Sequence, residues 1–152
     1  MTPHGAGPEA GGIVGVGTDL TDVDDLRRAL SRRPGLRHRL FTAAEWEYSE
    51  RHRDPMPHLA GRFAAKEAVM KCLRSGLGSV GFNEIEVGHD DSGAPKVSLS
   101  GRAAERADSL GVVGWWISLT HTSTLAQSVA LAVAAAPPAL SAEPVTAAGP
   151  DR

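Results

Sequence analysis

Between Arg62 and Lys71 the chain places four side chains suited to phosphate and metal chemistry: Arg62, Lys66, Glu67 and Lys71. Glu67 and Lys71 form an i,i+4 pair in the favourable order, and Arg62 and Lys66 form another, so a helix here displays one carboxylate among three cations. A carboxylate suits a hard divalent cation, and the cations suit an anionic ester. A solvated helix face with a surface ion pair has the same composition and contributes only ~0.3–0.5 kcal/mol. Two further residues stand out. Asp19 ends the apolar run IVGVGTDL, where an acid serves as a metal ligand or as an ordinary cap or turn residue. His121 lies in ISLTHT, a strand-like string in which a histidine beside threonine is commonly structural. Cys72 is the only cysteine, and with no activating neighbour in the sequence it is expected to be reduced and buried.

These residues need elements to hold them. The stretch from His58 to Arg74, HLAGRFAAKEAVMKCLR, is rich in good helix formers and has no Gly or Pro after Gly61. Asp54 and Pro55 fit an N-cap and first turn, and Gly76 fits a left-handed C-cap. Leu59, Phe63, Met70 and Leu73 form an apolar stripe, widened by Val69 and Cys72. Ile13 to Leu20 reads as a short buried strand. Its Gly15-Val16-Gly17 lacks the third glycine of a dinucleotide loop, because Leu20 stands there. A helix is predicted over Thr21 to Ser31, closed by Pro34-Gly35. Another follows Thr42, whose capping box is completed by Glu45, with Trp46 turned inward. His52 and His58 flank the linker between that helix and the central one, and without metal-ligand spacing they read as surface residues. Phe82 to Val87 and Pro95 to Leu99 read as strands joined by the turn His89 to Ala94. A helix over Gly101 to Leu110 precedes two strands, Trp115 to Thr122 and Leu125 to Ala134.

A chain of 152 residues, 41% hydrophobic, can bury one core. The domain is expected over residues 13–134, with a disordered Gly/Pro/Ala leader over 1–12 and a disordered Ala/Pro tail over 135–152. A net charge of −2 gives no reason to expect nucleic-acid binding. No apolar run reaches transmembrane length, and the first residues lack the order of a signal peptide, which makes a cytoplasmic protein the default.

Four phrases occur in an order that resembles the 4′-phosphopantetheinyl transferase family, specifically its small holo-acyl-carrier-protein synthase class: GVGTDL, RLFTAAEW, RFAAKEAVMK and ISLTHT, with FNEIEV and a hairpin between them. The resemblance covers about Ile13 to Ala134. It implies an α+β fold with an antiparallel sheet and helices packed on one face. It also implies a reaction: Mg²⁺-dependent transfer of 4′-phosphopantetheine from coenzyme A to a serine of an apo acyl carrier protein, releasing adenosine 3′,5′-bisphosphate.

By the same resemblance, Asp19 and Glu67 are assigned to the metal and Lys71 to the pyrophosphate. Arg62 and Lys66 are assigned to coenzyme A phosphates, Gly93 and Pro95 to the nucleotide end, and His121 to the pyrophosphate as a hydrogen-bond donor. The proton acceptor is left open between a metal-bound water and Glu67. Family members assemble as trimers with active sites between subunits, so a homotrimer is implied. The chain departs from the family pattern at two places. Asp25 stands where a basic carrier contact is usual, with Arg27, Arg28, Arg32 and Arg33 nearby as substitutes, and Ala94 stands where the turn has a lysine. Three other readings remain: a non-catalytic coenzyme A or carrier-protein binding module of the same fold, an unrelated magnesium-dependent phosphohydrolase, and a structural domain with no ligand.

Overall fold

A computed structural model describes residues 10–76 and 78–136. In chain order the elements are β1 (Ala10–Asp22), α1 (Val23–Arg32), α2 (Leu36–Leu40), α3 (Ala43–Glu50), α4 (Met56–Cys72), a 3₁₀ turn (Phe82–Glu84), β2 (Ile85–His89), β3 (Pro95–Leu99), α5 (Gly101–Ser109), β4 (Val112–His121) and β5 (Leu125–Ala135). The α+β architecture is the one implied by the resemblance. Its strands form two antiparallel sheets, a three-stranded one in the order β1-β5-β4 and the hairpin β2-β3. Strand β1 reaches back to Ala10, paired with Ala135, so residues 10–12 and Ala135 belong to the sheet and not to leader or tail. The rest of both predicted disordered segments lies outside the described residues.

Helix α4 is the centre of the molecule. Leu59, Val69, Cys72 and Leu73 are buried as the stripe predicts, but so are Ala60, Ala64, Ala65 and Ala68 on its other sides. A helix buried on most of its circumference is packed from several directions, and here β1, β5 and β4 cover one side while α1, α3 and β2 cover others. Its contact with β1 is unusually close. A Cβ on Gly17 would overlap the Ala68 carbonyl oxygen, and one on Gly15 would sit 2.6 Å from that of Cys72. The glycines of GVGTD let helix and strand backbones meet directly.

The helix ends differ from the sequence expectation. Asp54 does not cap α4 as its N-cap residue; its carboxylate accepts from Met56 N at 3.1 Å and pairs with Arg27 at 2.9 Å. At the other end the left-handed residue is Arg74, with φ of 50°, and not Gly76. Ser75 N donates to Met70 O and Arg74 N to Lys71 O, a Schellman closure that satisfies the last carbonyls. The predicted strand over Phe82–Val87 begins only at Ile85, because Phe82–Glu84 turn as a 3₁₀ segment under Gly81, whose N–H donates to Glu84. The capping box at Thr42 and Glu45 is present as predicted.

An ion pair lies in the core. Lys66 is fully buried and its Nζ lies 2.6 Å from Glu45, donating also to the carbonyls of Leu40 at 2.7 Å and Phe82 at 3.1 Å. Glu45 in turn accepts from Val87 N at 2.8 Å and Thr42 N at 2.8 Å. This corrects the assignment of Lys66 to coenzyme A phosphates: its ammonium is enclosed and faces α2, α3 and the 3₁₀ turn. Burial pulls the Lys66 pKa down and the Glu45 carboxylate opposes that pull. Removing one partner strands the other charge in the core, so Lys66→Met is expected to lower unfolding free energy by about 3–5 kcal/mol in urea denaturation. Replacing both, Lys66→Met with Glu45→Leu, should cost less than the single change; additive losses would show that the two charges do not interact.

Candidate active site

Strand β1 carries Asp19 toward α4. In an antiparallel sheet alternate residues share a face, so Asp19 follows Gly15 and Gly17 on the side that meets the helix. Because those glycines draw β1 onto α4, Asp19 comes within reach of the turn that holds Glu67 and Lys71. Lys71 Nζ donates to Asp19 Oδ1 at 3.0 Å and to Thr18 O at 2.6 Å. Thr21 Oγ1 donates to Asp19 Oδ2 at 3.3 Å. Glu67 is half-buried, and its carboxyl is pushed above the ordinary range, first by burial and then by the charge of Asp19, with Lys71 opposing. The charge of Asp19 therefore bears on Glu67. The Lys71 side chain is 51% exposed, leaving its ammonium free to turn to another anion. Two carboxylates at one strand–helix contact are a donor set for a hard divalent cation, which would neutralise both. Among the described residues no cluster of three or more His, Cys, Asp or Glu offers a fuller metal cage. Two ligands suit magnesium, which completes its shell with water and phosphate oxygens.

A second group lies nearer the start of α4. Arg62 is buried, with its guanidinium 4.2 Å above the Tyr48 ring. Beside it opens a cavity of about 260 Å³ lined by Tyr48, His58, Gly61, Arg62, Val87, Gly88, His89, Pro95, Leu119 and His121. His58 and His121 meet edge to face at 4.8 Å. Of the predicted nucleotide contacts, Arg62, Pro95 and His121 thus line one cavity. Gly93 does not; it sits in the hairpin turn with φ of 83° and open space around it.

Within one chain the two groups stay apart. His121 is on β4, which β5 separates from β1, about 10 Å across two strand spacings. Arg62 and Lys71 are about 14 Å apart along the helix axis. The sequence also left residues unassigned that the fold brings in: Tyr48 and His89 in the cavity, and Glu45 holding Lys66. His52 and His58, read as surface residues, are instead half-buried and stacked on each other at 3.6 Å. For Glu45 the capping box was a signal for the helix start only. No spacing rule marks the histidines.

A family model described as the 4′-phosphopantetheinyl transferase superfamily matches residues 15–134. The chain belongs to this superfamily. Within it, the holo-[acyl-carrier-protein] synthase of Caldanaerobacter subterraneus subsp. tengcongensis is 41% identical over 118 residues, which is 78% of this chain and 93% of that relative. The holo-[acyl-carrier-protein] synthase of Streptomyces avermitilis is 42% identical over 120 residues, covering 79% and 97%. Among solved structures, the holo-(acyl-carrier-protein) synthase of Bacillus anthracis in complex with CoA (3′,5′-ADP) superposes with a TM-score of 0.66 at 27% identity, over 81% of this chain and 98% of that one. These likenesses put the chain in the holo-acyl-carrier-protein synthase class of phosphopantetheinyl transferases.

The effect of Asp19 on Glu67 is measurable without substrate. Asp19→Asn removes the neighbouring negative charge, so the Glu67 carboxyl should titrate lower than in the wild type by carbon-detected NMR. An unchanged titration would show that the two carboxylates do not face each other. Cys72, buried against the sheet with its thiol pushed up to about 11, should resist thiol reagents at about pH 8 until the chain is unfolded.

Proposed function

We propose that the chain transfers 4′-phosphopantetheine from coenzyme A to a serine of an apo acyl carrier protein, with Mg²⁺ held by Asp19 and Glu67. The observation that carries this is the Asp19–Glu67–Lys71 group at the β1/α4 contact, in a chain of the holo-acyl-carrier-protein synthase class. Bound Mg²⁺ would supply a Lewis-acid charge for the pyrophosphate oxygens. The protein's own groups do the rest. Lys71, already paired with Asp19, turns its exposed ammonium to the pyrophosphate, where negative charge spreads as the transfer proceeds. Arg62 and His121 donate to coenzyme A phosphates from the cavity wall, and Pro95 shapes the same wall. The serine oxygen bonds to the β-phosphorus, the bond from that phosphorus to the bridging oxygen breaks, and adenosine 3′,5′-bisphosphate leaves. Glu67 is the carboxylate of this chain at hand to receive the serine proton as the new bond forms.

The separation of the two groups within one chain supports a homotrimer with sites between subunits. So does the sheet. The helices cover one face of β1-β5-β4, while the other face leaves Val16 62%, Leu20 62%, Trp116 43% and Val129 38% exposed. In register, Val16, Leu131 and Trp116 lie side by side across the three strands, a contiguous apolar strip of the kind that marks an interface. The proposal places the reaction in the cytoplasm; among the described residues no helix is long and apolar enough to cross a membrane.

Intact-mass spectrometry of an apo acyl carrier protein incubated with the chain, coenzyme A and Mg²⁺ tests the reaction. A gain of about 340 Da, one phosphopantetheine moved by metal-assisted phosphoryl transfer, is expected. Glu67→Gln and Lys71→Ala should each lower kcat/KM by roughly 100-fold or more with the fold retained. Coenzyme A binding without transfer to any of several carriers would favour the binding-module reading instead. Light scattering should give the trimer mass, and Val129→Glu should shift it toward the monomer; a wild-type monomer would overturn the assembly.

A further inference from the structure

Four of the six histidines gather around one cavity, and the reaction described above uses only one of them. His58 is central. It lines the cavity, stacks on His52 at 3.6 Å and meets His121 edge-on at 4.8 Å. Tyr48 lies 6.4 Å away, and His89 sits 4.7 Å from Tyr48 and lines the same cavity. The Arg62 side chain donates from its terminal nitrogen to the His58 carbonyl at 3.3 Å. Two nitrogens here are buried with no partner, Arg62 Nε and His52 Nδ1. A wall of one guanidinium and several imidazoles, with unpaired donor capacity, has the chemistry of a phosphate site.

We infer that this cavity is a proton-coupled anion site, in which His58 takes up a proton from solvent as the dianion of a phosphate monoester enters. The inference rests on coenzyme A being the substrate and assigns its monoester to the histidine cavity. His58 is the acceptor for a geometric reason. A protonated His52 would bury a second N–H with no acceptor, which is costly, whereas His58 lines the cavity and its charged form is favoured by the Asp54 carboxylate. The groups that face His58 are Tyr48 from α3, His52 and Asp54 from the α3–α4 segment, Arg62 from its own helix, and His121 from β4; His89 and Asp90 lie beyond, at the end of β2. Burial, His52, His121 and Arg62 hold His58 below the ordinary histidine value, with only Asp54 opposing. His89 is held down likewise by burial and Arg62. An entering dianion reverses the sign of the nearby field, raises the imidazole pKa and draws a proton in. Affinity for coenzyme A should therefore strengthen as pH falls toward the histidine range, and affinity for a ligand without the monoester should not.

Isothermal titration calorimetry of the full chain in buffers of different ionisation enthalpy, at fixed Mg²⁺ and about pH 7, reads the proton directly. Coenzyme A should bind with net uptake of about 0.4–0.8 proton more than in His58→Gln. Dephospho-coenzyme A, which lacks the monoester, should show no difference between wild type and variant. His52→Gln should retain the uptake. Equal proton counts for wild type and His58→Gln, with coenzyme A binding and transfer to the carrier intact, would overturn the inference and leave the function standing. No binding of coenzyme A by the wild type would overturn both.

Discussion

The direct approach of helix α4 to strand β1 is the constraint from which the site follows. Backbone meets backbone at Gly15 and Gly17, where a side chain would overlap the carbonyls of Cys72 and Ala68. That approach lets residues two and four further along the strand, Asp19 and Thr21, reach over the helix turn that carries Glu67 and Lys71. A methyl group at Gly17 would lever strand from helix and separate the carboxylates without touching either of them. The alanines at 64, 65 and 68 serve the same end from the helix side, keeping its surface low where sheet and strands close on it.

The helix must also be held in register along its axis, and the buried Lys66–Glu45 pair does this. Apolar side chains slide past one another at small cost, but an ammonium with one carboxylate and two carbonyls to satisfy has a single position. Glu45 extends that fixation to β2 through Val87 N and to the entry of α3 through Thr42 N. The pair is therefore a joint among α3, α4 and the hairpin. Since the hairpin carries His89 and Pro95 into the cavity, it also places the floor on which a nucleotide can rest.

The chain thus presents two groups along helix α4: Glu67 and Lys71 with Asp19 of β1 near its end, and Arg62 and His58 with imidazoles from other elements near its start. A coenzyme A molecule is long enough to engage chemistry of both kinds, and in the proposed trimer the apolar outer face of the three-stranded sheet would bring a neighbour's half into play. Charge is divided accordingly. The acidic group calls for a cation and the basic group for an anion, a division that the proposed magnesium–pyrophosphate unit with its flanking monoester would meet.

Much of this was legible in the sequence, where local rules act. The helix through RFAAKEAVMK, the capping box at Thr42, the β2-β3 hairpin and the two closing strands follow from periodicity and turn chemistry. The ordered phrases pointed to the superfamily, and with it to Asp19, Glu67 and Lys71. What the sequence could not say is which way each side chain turns. Arg62 and Lys66 are both cations on one helix, yet one lines a cavity and the other is sealed in the core, because α3 happens to bring Glu45 across from Lys66. Gly15 and Gly17 looked like a broken dinucleotide loop, since close backbone packing leaves no local signature. His52, His58 and His89 carry no shared spacing, and only the meeting of α3, α4 and β2 makes them neighbours. Residue type and local period determined the elements and the chemical vocabulary of the site; long-range packing alone decided which charges face each other, which are buried, and which remain free to meet a ligand.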